Sequence, residues 1–239
     1  MPITALSFQH APEIWQAFPQ LAAGLAYVDG VDDKPDVAAR LRKYFARARE
    51  RLGGGHESQL PEVEAWRRAY AQMGLKPTQY RSAAEALLRR FRQDGTLPAL
   101  HPLVDLCNAV SLAFALPVAI FDLDQVTSFL EVRHADGDER YLAFSGDVET
   151  PEPGEVIFAD ADRNVHARRW TFRQSRLSTV RPETRRVLIV SEGMHAAAAT
   201  DVAALIDALA GEVAAVWPVR PVRRMLTAAS PRWDLPTGT

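Results

Sequence analysis

A chain of 239 residues, 47% hydrophobic and 24% charged, can bury one sizeable core and has the balance of a globular protein, which excludes the disordered and fibrous classes. Its formal net charge of −2 at pH 7 and pI near 6.3 do not fit a uniformly basic nucleic-acid binder, and DNA is not an expected partner. With Cys107 as its single cysteine it has no disulfide framework, and it contains no apolar run of transmembrane length, nor the basic and apolar regions of a signal peptide in residues 1–10; a cytoplasmic protein without a membrane partner is expected.

The near-neutral total conceals blocks of opposite sign. Residues 40–92 carry 13 Lys and Arg against 5 Asp and Glu, a balance of +8. Residues 122–162 carry 2 against 12, a balance of −10, and residues 163–186 carry 8 against 1, a balance of +7. Two basic blocks around an acidic one either dock a polyanion on one surface or neutralise each other within the fold. Both remain open at this level.

In chain order, residues 3–8 and 21–31 read as strands, the second closed by Asp29-Gly30. Pro35 and Asp36 start a helix that runs to about Leu52, with Val37, Leu41, Phe45, Ala48 and Leu52 on its apolar face and six basic residues on the rest; Gly53, Gly54 and Gly55 break it. Pro61 fits the first turn of the next helix, where Val63, Trp66, Tyr70 and Met73 keep helical spacing up to Gly74. Ser82 is placed to cap a third helix, with Glu85 completing a capping box and Gly95 closing it.

Residues 102–116 are apolar almost all round, the mark of a helix buried on every side. Asp105, Asn108 and Ser111 interrupt it at i, i+3, i+6, and at about 100° per residue they share one narrow polar strip. Pro117 ends that helix, and 118–121 runs out as a short strand towards Asp122 and Asp124. Such an arrangement forms a pocket wall, or else a core helix whose polar groups bond to nearby backbone. Beyond it the period changes to two. Residues 129–135 and 138–144 flank Asp136-Gly137, a hairpin signal, and 155–159 pairs with 165–172, where Arg168 and Trp170 point one way and Ala167 and Arg169 the other. Residues 186–190 are apolar enough to lie inside a sheet. Thr200 caps a last helix whose stripe of Val202, Leu205, Ile206, Leu209, Val213 and Val216 either packs on the body or offers a second subunit a docking face for a homo-oligomer. Residues 231–239 read as a frayed, flexible tail. The expected fold is α+β, a helical N-terminal half packed on an antiparallel β-sandwich or barrel-like core.

Dinucleotide, phosphate-loop and nucleophile-elbow glycine patterns do not occur. The six histidines (His10, His56, His101, His134, His166 and His195) show no metal-ligand spacing, so neither a metal nor a cofactor is expected. His101, just before Pro102, is the one nearest a plausible pocket, where a structural role competes with that of a general base.

Read as a word, residues 103–126 resemble the editing domain of the phenylalanyl-tRNA synthetase beta subunit, its domains three and four. The family's Val-Asp-x-x-Asn helix, its Pro before a short strand and its Phe-Asp-Leu-Asp strand end correspond here to Val104, Asp105, Asn108, Pro117, Phe121, Asp122, Leu123 and Asp124. Residues 131–135, 155–160, 178–180, Thr184 and 187–192 are similar to later family strands in the same order, so the resemblance covers about residues 97–195. The upstream words at 66–70, 76–77, 80–82 and 85–87, with Arg169, Trp170, Arg173, Gln174 and Ser175, look closer to free-standing relatives of the domain. On this basis residues 61–195 form the editing-like domain, 1–60 an N-terminal strand and helix extension of the same body, and 196–230 the C-terminal helix.

The resemblance implies a stand-alone module that hydrolyses the ester of mischarged aminoacyl-tRNA in trans, with aminoacylated tRNA as its partner. Such chemistry asks for a side-chain pocket, donors toward the ester oxygen and a placed water. Asn108, Ser111, Arg169 and Ser175 are the candidates for catalysis, Asp105, Ala119, Asp122 and Trp170 for the substrate pocket, and Arg67, Arg68, Arg81, Arg168 and Arg173 for RNA. Two departures bear on specificity: Ala119 stands where the family has His, and a bulky charged stretch at Arg168, Arg169 and Trp170 replaces a glycine-rich segment, so tyrosine rejection does not carry over. The alternatives are a non-catalytic module binding tRNA, other RNA or an amino acid, and a small-molecule pocket protein with no RNA role.

Overall fold

The computed structural model describes residues 6–236. Strand β1 (Ser7–His10), helix α1 (Pro12–Ala17) and strand β2 (Ala22–Asp29) lead into four helices, α2 (Ala38–Leu52), α3 (Pro61–Gln72), α4 (Ala83–Asp94) and α5 (Pro102–Phe114). Strands β3 (Val118–Asp122), β4 (Phe129–His134), β5 (Arg140–Leu142), β6 (Val148–Glu149), β7 (Val156–Ala159), β8 (Asn164–Arg168), β9 (Arg173–Gln174) and β10 (Arg186–Gly193) follow. Helix α6 (Ala198–Val216) and strands β11 (Val222–Leu226) and β12 (Arg232–Asp234) close the described chain.

The strands form two open sheets rather than a closed barrel. One runs β12-β1-β4-β7-β8-β5-β6 with β9 beside β8; the other runs β11-β2-β10-β3 and is wholly antiparallel. In the first, β1 pairs with β4 and β5 with β8 in parallel. The α+β class holds, with the helices concentrated in the first half of the chain.

Alternation along β2 and β10 explains the layering. Leu25, Tyr27, Leu188 and Val190, with Phe121 of β3, face the first sheet, where Phe8 and Phe158 join the same core. Ala26, Val28, Val187 and Ile189 face the other way, onto α5 and α6. The second sheet is therefore a central layer covered on both faces, which accounts for the unbroken apolar run in β10. Gly24 lets β2 approach α6 closely, since a Cβ there would stand 2.7 Å from Val202 and Ile206. Helix α5 is enclosed as its all-round apolarity requires, and Cys107 on it is buried with a thiol that burial pushes up, an inert group. The stripe of α6 from Val202 to Val213 is buried against the body rather than presented to a second subunit.

Several local expectations are corrected. The opening strand begins at Ser7, and residues 3–5 of its expected span lie outside the described residues. The helix expected from Pro35 begins at Ala38, that expected to reach Leu116 ends at Phe114 with Ala115 left-handed, and α6 starts before Thr200, at Ala198. No hairpin forms around Asp136-Gly137: β4 pairs with β1 and β7, while β5 pairs with β6 and β8. The carboxylate of Glu139 accepts the Asp136 and Gly137 amides (both 3.0 Å) and Arg133 Nη1 (2.6 Å), tying the turn to itself. Ser82 does cap α4, accepting the Glu85 amide (3.3 Å), but the Glu85 carboxylate goes to Arg67 instead of returning to the cap. The strand expected to run to Phe172 stops at Arg168, because Arg169 (φ 49°) and Trp170 (φ 58°) are both left-handed. Residues 232–234, read as part of a frayed tail, pair with β1, and Leu235 is buried.

Candidate functional site

Pro117 turns the chain from α5 into β3, so Val118 and Ala119 lie beside the β8–β9 connection. Between them is a cavity of about 60 Å³, also lined by Phe158, Ala167, Trp170, Val190 and Glu192. Trp170 reaches it only because of the left-handed pair at 169–170, a conformation costing about 1–2 kcal/mol per non-glycine residue. The Trp170 amide donates to Val156 O (2.8 Å) and the Arg169 amide to Glu155 Oε1 (3.1 Å), holding that turn in place. The fully buried indole packs edge-on against Trp66 and Phe18, at centroid distances of 5.2 and 5.0 Å.

A buried carboxylate sits in this apolar setting. Glu192, 2% exposed, accepts Trp170 Nε1 at Oε1 (3.0 Å), and His10 Nε2 stands 2.6 Å from the same oxygen. Glu192 Oε2 has no hydrogen-bond partner among the described residues, although its residue lines the cavity. The backbone of Glu192 is fixed as well, its carbonyl accepting Trp66 Nε1 (3.3 Å).

A larger cleft of about 530 Å³ shares Val118 and Gln174 with the cavity. Its size is that of small-molecule sites. Helix α5 contributes Val104 and Asn108, and the following strand Ile120; exposed Leu100 and Phe144 lie at its edge, 69% and 62% exposed. Gln174 is held between the two spaces by donating to Ile120 O (2.5 Å). His101 lines the cleft but caps α5, its Nδ1 accepting the Leu103 amide (3.2 Å), so the neutral ring carries its proton on Nε2. Burial lowers its pKa, against the pull of Asp33 and Asp105.

The candidate residues divide accordingly. Ala119, Trp170 and Arg173 line the cavity and Asn108 the adjoining cleft. Ser111 and Ser175 are fully buried; their hydroxyls donate to Leu116 O (2.6 Å) and Leu142 O (3.0 Å), and Ser175 Oγ also accepts the Leu177 amide. Arg169 stacks on Tyr80 and Phe172 beside a different hollow that includes Met73 and Glu155. Asp105 accepts the Leu100 amide (2.9 Å); burial raises its carboxyl against that bond. Asp122 accepts Thr184 Oγ1 (2.6 Å) and the Asp124 amide (3.0 Å). Both aspartates thus fix local turns.

The acidic block 122–162 is met by the basic block 163–186, while block 40–92 makes its ion pairs within itself or with Asp94 and Glu212. Arg168, 4% exposed, is forked on Glu155 (2.8 Å) and bonded to Glu149 (2.5 Å), which removes it from the surface on which RNA contact was expected. Arg163 pairs with Asp136 and Asp138, and Arg186 with Asp124. Arg67 is bidentate on Glu85, with Arg81 at 3.6 Å from the same carboxylate. Arg68 and Arg173 stay exposed, each only loosely near a carboxylate at 3.8 Å. Arg42, Arg47 and Arg89 on α2 and α4, and Arg176, Arg181 and Arg185 near the cleft wall at Thr179, Val180 and Pro182, are also exposed and have no carboxylate partner among the described residues. Among the described residues, two groups of side chains bring metal-type donors together, Glu62 with His195 and Asp201, and Asp136 with Asp138 and Glu139. Arg51 already occupies the first, and Arg133 and Arg163 the second.

Glu192, His10 and Gln174 were not legible as site residues. His10 and Glu192 meet only through the fold, at opposite ends of the sequence. The one local hint is a carboxylate two residues after the apolar run 187–190, and it resembles any strand end.

These features define an α+β domain with a small carboxylate-bearing cavity behind an open cleft. Residues 65–207, more than half of the chain, match the model of the B3/4 domain, and the chain belongs to that family. The matched span includes the upstream words around Trp66 and Tyr80 as well as the α5–β3 segment that carried the resemblance. The chain is similar to the phenylalanine–tRNA ligase beta subunit of Cereibacter sphaeroides, 31% identical over 74 residues, which is 31% of this chain and 9% of that protein. A solved N-terminal fragment of the phenylalanyl-tRNA synthetase beta subunit from Pyrococcus horikoshii aligns over 90% of this chain and 50% of that one, at 10% identity and a TM-score of 0.47. The chain therefore spans about a tenth of the curated relative's length and half of the solved fragment's. No helix among the described residues is long and apolar enough to cross a membrane.

Proposed function

We propose that the protein is an aminoacyl-tRNA editing module that hydrolyses the ester of mischarged tRNA in trans, with the amino acid entering the cavity and the 3′-terminal nucleoside lying in the cleft. The observation that carries this reading is the cavity at Val118 and Ala119, on the strand that matches the family's motif, with Glu192 as its buried polar group. Membership of the B3/4 family and similarity to a phenylalanine–tRNA ligase subunit support a tRNA-related role.

In the reaction, a water oxygen bonds to the ester carbonyl carbon, the bond from that carbon to the ribose oxygen breaks, and a proton passes to the ribose oxygen. Free amino acid and the tRNA hydroxyl are the products. An activated ester needs no strong protein nucleophile; it needs donors where the oxyanion develops. Asn108 lines the cleft and its amide makes no hydrogen bond among the described residues, which leaves it available as such a donor. The exposed arginines near the cleft wall and on α2 and α4 meet phosphates.

A panel of aminoacylated tRNAs at high protein concentration tests the reading. Release of amino acid from at least one is expected, with Asn108→Ala slowing it by about 10²-fold, the usual scale for one oxyanion donor. No release across the panel sinks the hydrolytic role. A second reading is favoured by Ala119, which offers no group in place of the family's histidine: a non-catalytic module that binds aminoacyl-tRNA. Binding that weakens steeply with salt, without release, is its signature.

A further inference from the structure

We propose that the rim of the cleft is a stacking seat for the last base of an RNA strand: Phe144 covers the face of the 3′-terminal base, His101 donates a hydrogen bond to that nucleoside, and Arg176 and Arg181 meet the phosphate before it. This rests on the reading above and names the residues that seat the end of the tRNA.

Phe144 is 62% exposed, yet its backbone is fixed. It stands on a turn closed on itself: the Ala143 amide donates to Asp147 O (2.9 Å), the Gly146 amide to Ala143 O (3.0 Å), and Ser145 Oγ to Asp147 Oδ2 (2.8 Å). The residue before the turn is tied to the end of β9, because Leu142 O accepts both the Arg176 amide and Ser175 Oγ (3.0 Å each). The same bonds bring Arg176 alongside, its Nη1 standing 3.9 Å from where a Cβ on Gly146 would lie. An aromatic ring held out at the edge of a cleft leaves apolar area in water, and a flat ring laid on it removes that area. Stacking of one base on such a side chain is worth about 5–150-fold in affinity.

The polar groups around the cleft choose a nucleotide over an apolar peptide. Arg181 is pinned by donating to the carbonyls of Arg176 (3.0 Å) and Leu177 (3.2 Å), and Thr179 and Val180 beside it line the cleft. Arg176 and Arg181 are exposed and have no carboxylate partner among the described residues, so this wall attracts an anion. At the α5 end the sign reverses. Asp33 and Asp105 lie near His101, and they repel a phosphate. His101 nevertheless offers a donor there. It is 6% exposed and lines the cleft; its Nδ1 accepts the Leu103 amide, and its Nε2 has no partner among the described residues. Burial keeps the ring neutral at pH 7. With Nδ1 engaged and the proton on Nε2, it has no free lone pair to act as a general base, and an unmet buried donor is costly until a ligand acceptor reaches it. A nucleotide carries uncharged acceptors at one end and an anion at the other, matching both walls.

Fluorescence anisotropy of the full chain with deacylated tRNA, intact or abasic at its last nucleotide, tests the seat without requiring hydrolysis. Each variant is checked for folding by thermal unfolding. Intact tRNA is expected to bind at least fivefold tighter than the abasic form. Phe144→Ala and Phe144→Leu are expected to erase that margin and Phe144→Trp to keep it, all three leaving the affinity of the abasic form unchanged. His101→Asn, whose amide oxygen still caps α5, is expected to weaken binding of the intact form at least threefold. Arg176→Ala combined with Arg181→Ala weakens both forms alike and flattens the salt dependence. Equal binding of the two forms, equal losses for both in Phe144→Ala, full affinity in Phe144→Leu as a merely apolar contact would give, or an unchanged His101→Asn overturns the proposal. Free adenosine 5′-monophosphate binding as tightly as tRNA, with the same dependence on Phe144, assigns the seat to a free nucleotide and overturns it too. Absence of turnover on the aminoacyl-tRNA panel defeats the hydrolytic reading alone, whereas turnover that Phe144→Ala and His101→Asn leave untouched, with unchanged binding, defeats the seat alone.

Discussion

Replacing Glu139 with Gln isolates one buried charge that holds the 136–139 turn. The wild-type carboxylate is fully buried, and burial alone raises its pKa. The Asp136 amide, the Arg133 guanidinium and the Gly137 amide outweigh that and hold the group at about 2, down from its ordinary 4.5. A carboxyl depressed in the folded state contributes stability that is fully present above about pH 4.5 and is lost as the pH falls towards 2. The displacement corresponds to about 3 kcal/mol at most. Urea unfolding at pH 7, 5, 4 and 3 measures it. Other depressed carboxyls, among them Asp160, Glu57 and Glu212, titrate with the same sign, so the difference between wild type and Glu139→Gln is the quantity to follow. The variant is expected to be less stable by about 2–3 kcal/mol at pH 7, and the gap to close towards pH 3. Parallel loss of stability in the two proteins as pH falls refutes the reasoning.

Ser111→Ala strands the Leu116 carbonyl and Ser175→Ala the Leu177 amide, so each lowers stability by about 1–2 kcal/mol in urea unfolding while leaving aminoacyl-analogue binding unchanged; the opposite pattern would return these hydroxyls to the site. Arg168→Ala removes the forked cation from buried Glu155, leaving it Arg169 at 3.6 Å, and leaves half-exposed Glu149 with Arg173 at 3.8 Å; it is expected to cost about 1.5–3 kcal/mol of stability, with tRNA affinity unaltered in a low-salt filter-binding assay. Because burial lowers the His101 pKa below 6.5, the unfolded chain binds the proton more readily and stability falls as the pH drops below that value. His101→Asn retains a capping acceptor for α5 and is expected to lessen this acid sensitivity in thermal melts between pH 7 and 5.

Features fixed by short-range chemistry were readable in advance. The all-round apolarity of α5, the stop at Pro117, the Ser82 cap and the interior character of β10 each follow from a few neighbouring residues. Misreadings arose where a distant or unexpected partner intervened. Asp136-Gly137 carries a valid turn signal, and Gly137 does take a positive φ of 97°, yet the amides are claimed by Glu139 and the flanking strands find other neighbours. Arg169 and Trp170 look like strand residues, and only the tertiary hydrogen bonds to Glu155 and Val156 keep them left-handed. The candidate site was legible in part as a place in the fold. Ala119 and Trp170 line the cavity and Asn108 the cleft, while Ser111 and Ser175 are polar in sequence but bound to backbone in space.

The parallel pairing of β1 with β4 bears on how the chain reaches this state. Ser7 is in register with both Phe129 and Asp234, and Asp29 lies opposite Arg186. These contacts enclose loops of more than a hundred residues, so the central strand β2 and the first sheet cannot be completed until most of the chain has been synthesised. Until then β1 and the apolar β2 wait without their partners, and folding of high contact order leaves them exposed for longer. A fragment cut to residues 65–207 lacks β1, β2, β11 and β12, and it is expected to aggregate where the longer chain folds.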